Sequence, residues 1–161
     1  MKIAIGADHG GYKMKNGLVK FLKTKGFALA DMGTHNAESC DYPAIGYKVA
    51  ASVSSGQFPR GILICKTGVG FSIVANKLPG VRAALCLKAS QARLSREHNN
   101  SNILILAANY LNIKEASRIV DAWLKAEFSP RSRHGRRVRQ IANIERKLKK
   151  LKLSGVKRCI A

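Results

Sequence analysis

The stretch Gly61-Ile62-Leu63-Ile64-Cys65-Lys66-Thr67-Gly68-Val69-Gly70-Phe71-Ser72 decides how this chain folds. Residues 61–65 are almost wholly apolar, as in a strand buried on both faces. Gly68 and Gly70 then turn the chain into a helix through about Lys77. A strand that is continuously apolar, rather than alternating, belongs in a parallel sheet covered by helices on both sides.

The same unit recurs on either side. Lys2 to Ala7 is a short apolar strand ending in the turn Asp8-His9-Gly10-Gly11. A helix follows in which Met14, Leu18, Phe21 and Leu22 recur at three- and four-residue steps. Gly26 stops that helix, residues 27–32 read as a second strand, and Tyr42-Pro43 opens a helix carrying Ile45, Val49, Ala50 and Val53. Residues 81–87 and 102–107 read as the fourth and fifth strands, with a helix over 88–97 between them. Asn112 then starts a helix with Glu115 as its capping partner. Strands alternating with helices predict an α/β fold, a Rossmann-like three-layer αβα sandwich on a five-stranded parallel sheet. After Ser129-Pro130, Val138, Ile141, Leu148 and Leu151 mark an extended, basic C-terminal helix. Its apolar stripe has no place in a finished sandwich, so it is expected to pack on a second subunit. The expected organisation is one domain over 1–148 and a basic extension over 149–161 that frays.

With 161 residues and 46% hydrophobic content, the chain is long enough for a core without disulfides or a structural metal, and too apolar for wholesale disorder. No apolar run approaches the ~18 residues of a membrane span. No charged, apolar and small-residue leader opens the chain, and a soluble cytoplasmic protein is expected. Cys40, Cys65, Cys86 and Cys159 lack C-x-x-C spacing, which argues against a zinc or redox site and leaves each cysteine free. The formal charge is +20, and residues 131–161 hold twelve Lys or Arg against one acid, Glu145. A tail so basic suits a polyanion or a solvated helix face. No aromatic-rich RNA platform or DNA-reading motif accompanies it, and nucleic acid is not the expected partner.

Ligands of open parallel sheets bind beyond the carboxyl ends of the strands. Asp8-His9, the segment from Cys65 to Ser72, and His98-Asn99 are read as converging there. Backbone N–H groups at the start of the helix after Cys65 suit an anion, although the same glycines also make a plain tight turn. Cys65 lies next to Lys66 and a helix start, both of which favour thiolate, and would otherwise be a small buried hydrophobe. Asp8-His9 reads equally as an Asx turn, and His98 as an ordinary helix-end histidine. Arg133 and Arg137, one helical turn apart, suit a phosphate grip or a solvated surface.

Taken in order, Asp8-His9-Gly10, Asp41-Tyr42-Pro43, Cys65 with Thr67-Gly68-Val69-Gly70 and Ser72, Ala75-Asn76-Lys77, Ser95 with His98-Asn99, and Arg133-His134 with Arg137 resemble the type B ribose-5-phosphate isomerase family over roughly residues 1–148. That family also includes subunits of galactose-6-phosphate isomerase. The resemblance implies interconversion of ribose 5-phosphate and ribulose 5-phosphate through a cis-enediolate, without metal or organic cofactor. It implies Cys65 as the base moving a proton between C2 and C1, and Thr67 steadying the thiolate. Backbone N–H groups of Gly68, Val69, Gly70, Phe71 and Ser72 would hold the enediolate oxygen. It gives ring opening to His98, substrate hydroxyls to Asp8 and Asn99, phosphate to Arg133 and Arg137 helped by His9, and the site's edge to Tyr42. It further implies a homodimer with sites shared between subunits, or a tetramer of such dimers. A six-carbon sugar phosphate, galactose 6-phosphate or allose 6-phosphate, is the alternative substrate, and a nucleic-acid-binding protein on the same fold is a more distant one.

Two departures stand out. The family usually has Gly after the catalytic Cys where this chain has Lys66, which is expected to lower the Cys65 pKa. Where many relatives carry an arginine after the fifth strand, this chain has Asn109, so that phosphate affinity would rest more on the Arg133 region.

Overall fold

The computed structural model describes residues 1–131 and 133–158, with side chains of the last helix as far as Leu151. Five parallel strands, β1 (Lys2–Ala7), β2 (Ala28–Asp31), β3 (Arg60–Cys65), β4 (Ala83–Leu85) and β5 (Ile103–Ala107), form one sheet in the order β2-β1-β3-β5-β4. The helices are α1 (Tyr12–Thr24), α2 (Tyr42–Ser54), α3 (Val69–Ala75), α4 (Ala89–Asn99), α5 (Ile113–Lys125) and α6 (Arg133–Arg158). The αβα sandwich expected from the sequence is the one observed. The edge strands β2 and β4 are shorter than the apolar runs around them, each having a neighbour on one side only.

Alternation along the three central strands sorts side chains between two cores. Ile3, Ile5, Ile62, Ile64, Leu104 and Leu106 face one layer, where Leu18 and Leu22 of α1 meet Ile119, Val120 and Trp123 of α5. Ala4, Leu63, Cys65, Ile103 and Ile105 face the other, against Val49 and Val53 of α2 and Phe71 and Ala75 of α3. All of these are buried, and at roughly 1.5–3 kcal/mol per large apolar side chain they supply the main driving force for folding. The cap foreseen for α5 is closed in both directions, Glu115 N–H donating to Asn112 Oδ1 (2.9 Å) and Asn112 N–H to Glu115 Oε2 (2.8 Å).

One charge lies inside this frame. Lys15 is completely buried in α1, and its Nζ donates to both oxygens of Asp31 (2.7 and 2.6 Å) and to the Thr34 carbonyl (2.7 Å), tying α1 to the end of β2. Removing one partner of a buried pair strands the other, at a cost of about 3–5 kcal/mol. Asp31 keeps a third of its side chain in solvent, which screens the pair and puts Asp31→Ala at the lower end, about 3 kcal/mol. Urea unfolding is expected to show that loss, and a Lys15→Met change in the same background should recover most of it. No recovery would mean that the ion pair is not the origin of the cost.

Helix α6 continues without a break past residue 148 to Arg158, so the expected extension begins inside it, and residues 159–161, with Cys159, lie outside the described residues. Among its described residues, Ile141, Ile144, Leu148 and Leu151 are 40–65% exposed, at alternating steps of three and four, while Val138 is half-buried. Among the described residues, no helix is long and apolar enough to cross a membrane.

Candidate active site

The chain leaves β1 outward to β2 and returns to β3 on the other side of β1, so the sheet's switch point lies between β1 and β3. Asp8 directly follows β1, and Cys65 ends β3. Ala7 pairs with Ile64, and Asp8 N–H donates to the Ile64 carbonyl (3.2 Å), which places both side chains at one crevice. Asp8 is buried, and its Oδ1 accepts from Gly11 N–H (2.9 Å), closing the Asx-type turn before α1. His9 accepts from Cys40 N–H at Nδ1 (3.4 Å), so its neutral ring carries the proton on Nε2, where it can donate to a ligand.

Cys65 Sγ accepts from the N–H of Gly68 (3.0 Å). That contact needs the tight turn at Gly68, whose φ of +78° favours glycine and where a Cβ would come within 2.4 Å of Leu85. The thiol is nevertheless pushed up from its ordinary value. Burial is the largest cause, the Gly68 N–H opposes it, the Asp8 carboxylate adds to it, and the backbone N–H groups of Thr67 and Phe71 oppose it more weakly. Lys66 does not act on the thiol as expected. It is exposed, and its stem runs the other way across Gly10, where an added Cβ would sit 2.4 Å from Lys66 Cγ. Desolvation therefore outweighs the helix start in this crevice.

The expected anion hole narrows as well. Ser72 N–H is taken up by the Gly68 carbonyl (3.0 Å), Val69 N–H faces Thr67 Oγ1 (3.4 Å) and Gly68 N–H serves the sulfur, leaving for an oxyanion the Gly70 N–H and, in competition with the sulfur, the Phe71 N–H. Thr67 reaches the thiol through its backbone, while its hydroxyl accepts from Val69 N–H. Tyr42 closes this end, its ring lying over Gly70 and edge-on to Phe71 with centroids 5.8 Å apart.

His98 and Asn99 are elsewhere, and the expected convergence of three clusters on one sheet end is corrected here. They stand at the C-terminal end of α4, which has carried the chain back to where β5 begins. Ile103 pairs with Gly61 at that end, and Ala107 with Cys65 at the other. Four residue steps at ~3.3 Å separate the two ends by about 13 Å. His98 instead stacks on His134 (centroids 4.0 Å, planes 6° apart), flanked by Arg133 and Arg137 of α6, whose charges, after desolvation and that of His98, hold the His134 pKa below the usual histidine value. The candidate residues thus fall into two groups. Asp8, His9, Tyr42, Cys65, Thr67 and residues 68–72 form one, and His98, Asn99, Arg133 and Arg137 the other. Sequence reasoning passed over His134 as a ring partner, for which Arg133-His134 next to His98 in α4 gave no periodic signal. Among the described residues, no three His, Cys, Asp or Glu side chains are grouped as metal ligands.

Residues 3–141 match the family model described as Ribose/Galactose Isomerase. The chain is 43% identical over 146 residues to ribose-5-phosphate isomerase B of Escherichia coli, covering 91% of this chain and 97% of that protein. Among solved structures, ribose-5-phosphate isomerase B of Clostridium thermocellum superposes with a TM-score of 0.89 at 53% identity, over 92% of this chain and 99% of the other. That of Mycoplasma genitalium, with bound ribulose-5-phosphate, gives 0.86 at 39% identity over 90% and 96%.

Proposed function

Since the chain belongs to the ribose/galactose isomerase family, we propose that it interconverts ribose 5-phosphate and ribulose 5-phosphate at a crevice completed by a second copy of itself. The observation that carries the reading is the Cys65 sulfur, buried at the switch point between Asp8 and the start of α3, with Gly68 N–H aimed at it. Thiolate takes the C2 proton of the open-chain aldose, and the electron pair moves through C1 to the carbonyl oxygen, which becomes the enediolate oxygen facing Gly70 and Phe71 N–H. The proton on sulfur returns to C1, and the C2 hydroxyl proton passes to the neighbouring C1 oxygen as C2 becomes the ketone, so that O1 ends as a hydroxyl and the thiolate is regenerated. One base serves both carbons because they lie on one face of a cis-enediolate.

The second half-site supplies what the crevice lacks. His98 opens the furanose ring, Asn99 hydrogen-bonds substrate oxygens, and Arg133 with Arg137 grips the phosphate, aided by His9 Nε2–H from the first half-site. Because these groups stand about 13 Å along the sheet from Cys65, a partner chain delivers them, and the bare stripe of α6 is the surface that holds the dimer. Pairing of dimers into a tetramer is compatible with the same contact. The cytoplasm, where charged sugar phosphates are retained, is the setting of the proposal.

The test is turnover of ribose 5-phosphate by the full chain, with galactose 6-phosphate alongside. Ketose formation from ribose 5-phosphate at a kcat/KM at least tenfold above that for the hexose is expected. Preference for the hexose would shift the substrate to six carbons, and no turnover of either would overturn the isomerase reading.

A further inference from the structure

Three arginines meet at the amino end of the sheet, away from the thiol. Arg60 begins β3, Arg82 precedes β4 and Arg96 lies in the last turn of α4, close enough that Arg60 and Arg82 both depress Arg96 and Arg82 depresses Arg60. Burial and this repulsion hold the Arg96 pKa down to about 10. Glu145 acts on Arg82 alone. Among the described residues, neither Arg60 nor Arg96 has a carboxylate within ion-pair distance.

Arg96 is 96% buried, with a relative exposure of 4%, and its Nη1 donates to two neutral acceptors, Asn100 Oδ1 (2.8 Å) and the Ser101 carbonyl (2.6 Å). Its Nε is buried with no partner among the described residues. A guanidinium in this state is costly to keep, because carbonyl dipoles do not neutralise its charge. Arg60 lies over the Trp123 ring (5.9 Å to the centroid) and spends one donor on the adjacent Pro59 carbonyl (2.8 Å). Arg60 and Arg96 both line a cleft of about 590 Å³, walled on its apolar side by Leu124 and Phe128. Glu127 also lines this cleft but is not among the groups that act on either guanidinium.

We propose that this cleft is a second anion site, holding a phosphate-class anion of at least two charges between Arg60 and Arg96. Planar guanidinium forks match phosphate oxygens, and two uncompensated cations call for a multivalent anion rather than a single carboxylate. Neither Arg133 nor Arg137 lines this cleft, and the proposal does not rest on the isomerase reading.

The probe is inorganic pyrophosphate, titrated calorimetrically into the full chain at 0.15 M salt, where loose attraction to the +20 chain is screened. Binding is expected to persist in the Arg133→Ala/Arg137→Ala variant and to weaken at least tenfold in that background on adding Arg60→Gln. Arg60→Glu, which reverses the charge at a half-exposed position without touching buried Arg96, is expected to abolish it. Affinity unchanged by both Arg60 substitutions, or lost entirely with Arg133 and Arg137, overturns the proposal.

Discussion

Replacing Cys65 with alanine is expected to lower kcat for ribose 5-phosphate by about a thousandfold, the middle to upper range for loss of a positioned base and equivalent to about 4 kcal/mol of barrier. KM should change little, because the phosphate and hydroxyl contacts proposed for Arg133, Arg137 and Asn99 do not involve the sulfur. The substitution removes one small atom from a site that is already polar at its rim, so the fold is expected to survive and circular dichroism to match the parent. A variant retaining more than a tenth of parental kcat would remove Cys65 as the base.

The pH profile gives the same assignment a second reading. The thiol is raised, above all by burial and then, against the Gly68 N–H, by Asp8, so at neutral pH the reactive thiolate is the minor form. In the free enzyme, kcat/KM should therefore climb as pH rises and level off above the ordinary thiol value of about 8.5. Asp8→Asn removes the nearby negative charge and should move that limb down, whereas Lys66→Gly should leave it in place. The sign for stability is opposite. The unfolded chain ionises Cys65 first, so the folded state loses stability as pH rises from the unfolded thiol value toward the folded one. Cys86, raised to about 11 by burial against a Ser95 hydrogen bond, adds to that alkaline loss.

The sheet was legible because β1, β3 and β5 are almost continuously apolar, and β1 and β3 run into glycine-bearing turns, Asp8-His9-Gly10-Gly11 and Thr67-Gly68-Val69-Gly70. The first half-site was legible for the same reason, since Cys65 and Gly68 lie at a strand end that any parallel fold turns into a crevice. Lys15 was not, although it sits in the buried stripe between Met14 and Leu18. A lysine there reads as a break in the pattern until Asp31 is brought to it by the β1–β2 pairing. His98 was misplaced because its proximity to the fifth strand says nothing about which end it approaches, and a helix of eleven residues reverses the direction of the chain. Arg60 and Arg96, 36 positions apart, give no local signal at all.

The proposed division into two half-sites makes an outcome that a self-contained protomer cannot produce. Mixing the inactive variants Cys65→Ala and His98→Ala, after dissociation and reassembly, is expected to restore activity. In a hybrid dimer of twofold symmetry, one crevice pairs the altered Cys65 position with the altered His98 position and is dead. The other pairs an intact Cys65 with an intact His98 and is whole. Random reassembly makes about half the dimers hybrid, each with one working site of two, so about a quarter of parental activity should return. Either variant reassembled alone should stay at its own residual rate. If His98 served the Cys65 of its own chain, the mixture would show only the average of the two residual rates. Substituting Ile144 and Leu148 of the exposed stripe with glutamate should prevent reassembly and remove the recovery, because burying two carboxylates in an apolar seam costs more than a dimer of this kind can supply. A folded, monomeric Ile144→Glu/Leu148→Glu variant that remained fully active would place His98 and Cys65 in one protomer's site and defeat the shared-site reading.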